Sequence, residues 1–268
     1  MRSLPAYEAA LSDGGLPYVR IGEGKDPLVI FTSGSPDISV PTGFMLRQFV
    51  DGARHFAEHY TVYFVKRKRG LPPDCNTRGL ADDYAAFIEE MIDQPCHILG
   101  ISAGGFIAQH FAAAYPHLTR KLVIAIAGYQ LQGSGRERVE SWQTFIQENQ
   151  YCKLLTSMYT AASDTFLAAL LALVICKLFR PPQADLDDFY HLLSALLAHN
   201  GRPSLPHITC PTLIIGGEKD IFYPPDMLYQ MAREMPNVQV SIYPRVGHGL
   251  IEQRKKEFEK EVLEFLAQ

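Results

Sequence analysis

The sequence CHILGISAGGFIA, residues 96–108, decides the fold of this chain. Its first part is short and apolar, as a buried strand is, and its alanine-rich last part predicts a helix. Between the two parts Ser102 stands between Gly100 and Gly104, in a Gly-x-Ser-x-Gly pattern. Glycine suits a tight strand-to-helix turn, because a side chain there would meet neighbouring backbone. The stretch therefore predicts a nucleophile elbow, with Ser102 at a strained backbone angle and the helix N-terminus facing the site.

Length and composition set the class of protein. The 268 residues are 47% hydrophobic, which is enough for one large α/β domain with an insertion. The formal net charge of -4 predicts no nucleic-acid partner. We expect no export signal and no membrane partner, because the N-terminal residues lack an apolar core and the longest apolar run, 166–176, is too short for a bilayer.

The cysteines and histidines argue against a metal or a disulfide framework. The five cysteines are scattered and form no CxxC pair, so we expect a cytoplasmic protein without disulfides. No pair of the nine histidines has zinc-binding spacing, and we expect neither metal nor cofactor. The basic run at 66–69 is more typical of a solvated strand end and loop than of a nucleic-acid site.

Alternating strands and helices predict the architecture. Seven segments read as strands, and they are 16–24, 27–32, 60–65, 96–101, 121–127, 211–217 and 238–243. The first is expected at an edge of the sheet, whereas apolar runs without alternation predict buried parallel strands. The alternation stops between 128 and 206, where helical patterns cover 141–147, 152–160, 166–179 and 186–197. We therefore predict a core of residues 1–128 and 207–268 with a helical cap of 129–206 inserted into it.

A serine nucleophile needs a base and an acid, and both are expected after late strands of the sheet. Asp220 lies in the turn after the strand 211–217 and is the candidate acid, with Glu218 of the same turn as runner-up. Asp226 is more typical of a helix N-terminus. His248 follows the last strand between Gly247 and Gly249 and is the candidate base. The other histidines lie in helices, at helix ends or at the wrong end of a strand.

An oxyanion hole needs two backbone N–H groups. Ala103, directly after the serine, is the candidate for one of them. The second is expected from the loop 33–36, and Ser35 is the candidate there.

Three motifs in this order carry a resemblance to a known family. GISAGG at 100–105, LIIGGEKD at 213–220 and GHG at 247–249 resemble the α/β-hydrolase fold, in its serine-nucleophile type with a helical cap. The resemblance runs nearly end to end and implies a mostly parallel, doubly wound sheet of eight strands. It also implies Ser102 as nucleophile, Asp220 as acid and His248 as base. Ser33-Gly34 stands where such proteins commonly have His-Gly.

The cap is expected to bind substrate with aromatic side chains, because ligand sites are mostly apolar. The candidates are Trp142, Phe145, Tyr159 and Phe166. The helix at 166–179 is more apolar than one buried face requires, which makes a homo-oligomer contact through the cap an alternative role for it.

The sequence thus predicts a serine hydrolase that cleaves a carboxylic ester, lactone or thioester of a fairly apolar small molecule through an acyl-enzyme on Ser102. A carbon–carbon bond hydrolase or a perhydrolase on the same three residues is the alternative. A ligand receptor with slow turnover is the alternative from another class.

Overall fold

The computed structural model describes residues 4–32, 34–162, 166–178 and 180–268. Eight strands form one sheet in the order β1-β2-β4-β3-β5-β6-β7-β8. They are β1 Tyr7–Leu11, β2 Pro17–Ile21, β3 Asp26–Phe31, β4 Tyr60–Val65, β5 Cys96–Ile101, β6 Thr119–Ala125, β7 Thr212–Gly217 and β8 Val238–Tyr243. The pairs from β4 to β8 are parallel, and β1 and β2 join antiparallel at one end. The predicted fold class, a mostly parallel eight-stranded α/β sheet, is confirmed.

Helices cover both faces of this sheet. The α-helices of the described residues are α1 Gly43–Ala57, α2 Thr77–Met91, α3 Ala103–Ala114, α4 Gly133–Gln147, α5 Tyr151–Ala162, α6 Phe166–Leu178, α7 Gln183–Ala198, α8 Pro225–Arg233, α9 Leu250–Gln253 and α10 Lys255–Ala267. Buried residues of α2, α3 and α8 pack on one face, and those of α1 and α10 pack on the other. Because both faces are covered, β3 and β5 read as continuous apolar runs.

The start of the chain corrects one prediction. The segment predicted as an edge strand is β2, which lies between β1 and β4 in the interior of the sheet. The edge is β1, whose sequence is YEAAL and whose side chains are exposed or half-buried. Glutamate and alanine are weak strand formers, so tertiary pairing and not local sequence makes this strand.

Four helices, α4 to α7, lie between β6 and β7, where the sequence predicts a helical insertion. We keep the names core for 1–128 with 207–268 and cap for 129–206. Helix α4 begins at Gly133, earlier than the helical pattern at 141 suggests. No helix of the described ranges is long and apolar enough to cross a membrane.

A disulfide in the cap corrects a second prediction. Cys152 on α5 and Cys176 on α6 are bonded, with their Cα atoms 5.1 Å apart, although 24 positions separate them in the sequence. Helices α5 and α6 pack against each other, which brings the start of one beside the end of the other. This proximity arises from the helical hairpin, and cysteine spacing carries no sign of it.

The basic run at 66–69 corrects a third prediction, because its first two residues are buried. The Lys66 ammonium donates to the backbone oxygens of Ser39, at 2.9 Å, and Asp37, at 3.3 Å. The Arg67 side chain is 0% exposed, and its guanidinium lies 4.0 Å from an oxygen of Asp188 on α7. Burial lowers the pKa of Arg67, and the Asp188 carboxylate opposes that shift. The basic run therefore packs inside the protein, partly against the cap.

Helix α7 is fixed to the core at this point by a set of polar contacts. Asp188 accepts the backbone N–H groups of Gly70, at 2.8 Å, and Leu71, at 2.9 Å. Asp185 accepts two bonds of 3.0 Å from the Arg69 guanidinium, in the paired geometry that makes such contacts strong. One turn further on, the His191 ring contacts the Leu71 carbonyl oxygen at 2.7 Å. We call the contacts of Asp185, Asp188 and His191 with this segment the α7 latch.

Candidate active site

The turn between β5 and α3 has the geometry of the predicted elbow. Ser102 has φ 51° and ψ -119°, a positive φ that non-glycine residues seldom adopt. A Cβ atom at Gly104 would overlap the carbonyl oxygen of Phe31 in β3, and one at Gly100 would lie 2.7 Å from the Cβ of Ala108. Glycine at both positions lets the turn close, and the turn lifts the Ser102 hydroxyl to the carboxyl end of the sheet.

Ser102 is one end of a chain of two hydrogen bonds. Its Oγ lies 3.0 Å from Nε2 of His248. The Nδ1 atom of the same ring lies 2.9 Å from Oδ2 of Asp220. The three residues follow β5, β7 and β8, so the parallel sheet brings them to one edge from positions up to 146 residues apart. This spacing allows a proton to pass from Ser102 to His248 while Asp220 holds the ring.

Asp220 is buried and held by the backbone on its other oxygen. Its Oδ1 accepts the N–H groups of Phe222, at 2.8 Å, and Tyr223, at 3.3 Å. These bonds fix the carboxylate so that Oδ2 faces His248. The alternative acid, Glu218, is turned elsewhere, since its Oε2 accepts the backbone N–H of Arg245 at 2.7 Å. Asp226 lies in the first turn of α8, the place expected for a helix-stabilising charge.

The candidate oxyanion donors lie at two neighbouring segments. Ala103 is the first residue of α3, where backbone N–H groups have no partner within the helix. Gly34 lies beside it, since a Cβ on Gly34 would be 3.6 Å from the Cβ of Ala103. Ser35 is exposed, and its hydroxyl accepts the N–H of Asp37 at 3.1 Å. Ser33, which the sequence marks as unusual, lies outside the described residues.

A cavity of about 170 Å³ opens beside Ser102 and His248. The core side of the cavity includes Gly34, Ala103, Phe222 and Tyr223, and the cap side is apolar. The cap residues are Leu131, Val139, Trp142, Met158, Ala161, Phe189, Leu193 and Leu196. No Asp, Glu, Lys or Arg is among the described residues that line it. The polar groups are thus concentrated at one end, where the chemistry would take place.

The four cap aromatics predicted from the sequence have different positions. Trp142 lines the cavity, while Phe145 and Tyr159 are not among its lining residues and pack against the hydrophobic core. The Phe166 side chain lies outside the described residues. The indole N–H of Trp142 donates to the Ser157 hydroxyl at 2.9 Å, which fixes the ring at the cavity wall.

Sequence reasoning missed most of the cavity wall. Phe222 and Tyr223 come two and three positions after the candidate acid, and this proximity in the sequence is a signal that could have identified them. Their rings lie 4.6 and 5.8 Å from the His248 ring. Burial raises the pKa of Tyr223, so that its phenol is neutral. The leucines of α7 carried no such signal, because a leucine that lines a cavity looks the same in a sequence as one in the core.

No cluster of three His, Cys, Asp or Glu side chains that could hold a metal ion occurs in the described part of the chain.

The chain is similar to known proteins over nearly its whole length. The model of the alpha/beta hydrolase family matches residues 29–261. A 2-hydroxy-6-oxononadienedioate/2-hydroxy-6-oxononatrienedioate hydrolase of a Pseudomonas species is 27% identical over 264 residues, which cover 92% of this chain and 89% of that protein. Among solved structures, the enol-lactonase from Burkholderia xenovorans LB400 matches with a TM-score of 0.79 at 18% identity, covering 97% of this chain and 100% of its own. An esterase from Exiguobacterium antarcticum matches with a TM-score of 0.75 at 19% identity, covering 94% and 96%.

Proposed function

The chain belongs to the alpha/beta hydrolase family and is a hydrolase, and on that premise we propose that it cleaves a carboxylic ester, lactone or thioester of a fairly apolar small molecule. The observation that carries this proposal is the pair of hydrogen bonds from Ser102 through His248 to Asp220. These are the contacts that nucleophilic attack by a serine requires.

In the first half of the reaction Ser102 attacks the substrate carbonyl carbon. His248 takes the hydroxyl proton on Nε2 as the Oγ–C bond forms, and Asp220 stabilises the resulting imidazolium through Nδ1–H. The backbone N–H of Ala103 is aimed by α3 at the developing oxyanion, and that of Ser35 is proposed as the second donor. His248 then gives its proton to the leaving oxygen or sulfur, and an acyl-enzyme remains.

In the second half water replaces the alcohol. His248 takes a proton from the water as the oxygen attacks the acyl carbon, and the same donors hold the oxyanion. The proton then returns to Ser102 Oγ as the acyl bond breaks. The acid leaves, and the three residues are restored.

Carbon–carbon bond hydrolysis on the same residues is the second candidate. It is favoured by the similarity to the Pseudomonas hydrolase, whose name describes a substrate with a keto group and two carboxylates. Ester and carbon–carbon cleavage differ in the leaving group and share the machinery at Ser102. A panel of esters, lactones and vinylogous diketones separates the two by relative kcat/KM.

The experiment that tests the proposal is covalent labelling with a fluorophosphonate, followed by turnover of p-nitrophenyl esters. We expect one label on Ser102 and a fall of about 10⁴-fold or more in kcat for Ser102→Ala. Ser141→Ala, on α4 and not itself a lining residue, is the control and should keep both labelling and turnover.

Two outcomes would contradict the proposal. A folded wild-type protein that takes no label has no activated serine. A protein that labels but turns over every substrate more slowly than it releases ligand acts as a receptor.

A further inference from the structure

The size of the cavity beside Ser102 limits the number of carbon atoms in the acyl group that it can hold. Its volume is about 170 Å³. An apolar protein cavity of about 150 Å³ holds one benzene molecule. A chain or ring of about six carbons therefore fills this space, and a longer acyl chain has to displace part of the wall or extend out of the cavity.

The chemistry of the wall limits the charge of that group. The described lining residues from the cap are all apolar apart from the Trp142 indole, and its N–H is already bonded to Ser157. Tyr223 is a neutral phenol, and no Lys or Arg is among the described lining residues. A carboxylate at the far end of an acyl chain would be buried there without a partner, which is strongly unfavourable.

Trp142 forms part of the cavity wall. The indole lies on α4 and is held by the Ser157 hydroxyl of α5, so its place depends on both helices. Its ring is 5.9 Å from that of Phe222, which in turn lies 4.6 Å from the His248 ring. A contiguous row of rings thus leads from the candidate base to the cap wall.

We propose that the site accepts uncharged acyl groups of up to about six carbons, aliphatic or phenyl, and rejects those that carry a carboxylate. Trp142, positioned by Ser157, is the residue that sets the limit. The proposal rests on the serine hydrolase function. It also separates this chain from the Pseudomonas relative, because the dioate of that protein's name would have no cationic partner among the described wall residues.

The test uses two substrate series on the full-length protein. The first is p-nitrophenyl esters with unbranched acyl groups of two to twelve carbons. The second is a matched pair, p-nitrophenyl hexanoate and the mono-p-nitrophenyl ester of adipic acid, which have six-carbon acyl groups and differ in a terminal carboxylate. We expect kcat/KM to peak at or below about six carbons and to fall at least about tenfold by twelve. The adipate ester should react at least about 100-fold more slowly than the hexanoate.

Variants assign the limit to Trp142. Trp142→Ala should move the optimum to longer acyl chains. The ratio of kcat/KM for the dodecanoate ester to kcat/KM for the hexanoate ester should rise about tenfold. Ser157→Ala, which keeps the indole and removes its acceptor, should raise the ratio less. Phe145→Ala removes an aromatic ring from the same helix outside the cavity wall and should leave the optimum unchanged. If Trp142→Ala does not fold, the Ser157→Ala profile decides the matter alone.

A flat chain-length profile, or equal rates for adipate and hexanoate esters, would overturn the proposal. If the preferred acyl chain length is the same in Trp142→Ala, Ser157→Ala and the wild type, Trp142 does not set the limit. Fluorophosphonate labelling distinguishes the levels of failure. Labelled Ser102 with a flat profile defeats only the acyl limit, whereas absence of labelling defeats the underlying function.

Discussion

Helices α6 and α7 both belong to the cap and are both rich in leucine, but they are held in different ways. Helix α7 is bound to the core by the α7 latch and presents Phe189, Leu193 and Leu196 to the cavity. Helix α6 packs against α5 and, among its described side chains, exposes six large apolar ones. They are Leu167, Leu170, Leu171, Leu173, Val174 and Leu178, and the first of them is 70% exposed.

The difference shows that leucine content does not decide which helix forms a wall of the site. What distinguishes α7 is the pair of acidic residues one turn apart, Asp185 and Asp188, which face the basic run 66–69 of the core. Helix α6 has no acidic residue in its sequence FLAALLALVICKL. The two carboxylates therefore attach α7 to the core. Helix α6 has no such group and keeps an exposed apolar face.

The largest effect should come from breaking the latch with Asp188→Ala. This change leaves the fully buried Arg67 without its neighbouring carboxylate, and the N–H groups of Gly70 and Leu71 without their acceptor. Removing one partner of a buried charge pair costs about 3–5 kcal/mol. Urea denaturation measures the loss. Asp187→Ala, at an exposed neighbour, is the matched control and should stay within about 0.5 kcal/mol of the wild type. Equal midpoints for both variants would show that the latch does not stabilise the protein.

The second effect concerns the disulfide, which ties α6 to α5. A bond closing a loop of 24 positions contributes about 3 kcal/mol through the chain entropy of the unfolded state. Replacing both Cys152 and Cys176 by serine should lower the Tm measured by differential scanning calorimetry. Because α6 provides none of the described lining residues, labelling of Ser102 should persist. Free Cys75→Ser is the control, and a wild-type Tm unaffected by reductant would contradict the prediction.

The third effect depends on pH and comes from three buried histidines, of which His110 and His199 lie in contact near the end of α7. Burial lowers the pKa of His110 on α3 and of His97 on β5 to about 4, and it lowers that of His199, just after α7, as well. In the unfolded chain these rings bind a proton near pH 6.5, so acid favours unfolding. Their contribution to stability is complete above about pH 6.5 and is lost as the pH falls towards 4.

Urea denaturation at pH 7 and pH 5 measures this loss, which should be about 1–2 kcal/mol for each of these histidines. His110→Gln keeps a polar partner for Ser204 and should reduce the loss. The exposed His207 provides the matched control as His207→Gln. A free energy of unfolding that is equal at the two pH values would show that these rings do not resist protonation.

The smallest effect on folding is expected at α6. Leu171→Glu with Val174→Glu places charge on its exposed face and should change stability by no more than about 0.5 kcal/mol. The homo-oligomer contact predicted from the sequence stays a prediction, and this variant tests it. Sedimentation velocity should show a wild-type protein that associates and a variant that does not. A monomeric wild type would rule the contact out.

The core could be predicted from sequence because its signals are local. Each apolar run next to a turn marks a strand, and the parallel sheet then brings Ser102, Asp220 and His248 to one edge without further information. The strand β1 could not be predicted in this way, because its residues are weak strand formers and its pairing with β2 stabilises it. The apolar cavity wall carries no local signal of this type.

The cavity wall could not be predicted, because burial by itself does not say which side of a helix faces a substrate. Phe145 and Trp142 are three residues apart on α4, yet only Trp142 lines the cavity. The α7 latch could not be predicted from the sequence for a related reason. A run of four basic residues is usually solvated, and the sequence gives no sign that Asp188, more than 100 residues later, lies beside a buried Arg67.

The close approach of Gly104 to the carbonyl of Phe31 has a mechanical consequence. It leaves no room for a side chain between the elbow and the end of β3, so the two segments are in direct contact. A side chain at position 104 would therefore push the elbow away from β3 and displace the Ser102 hydroxyl from its contact with His248.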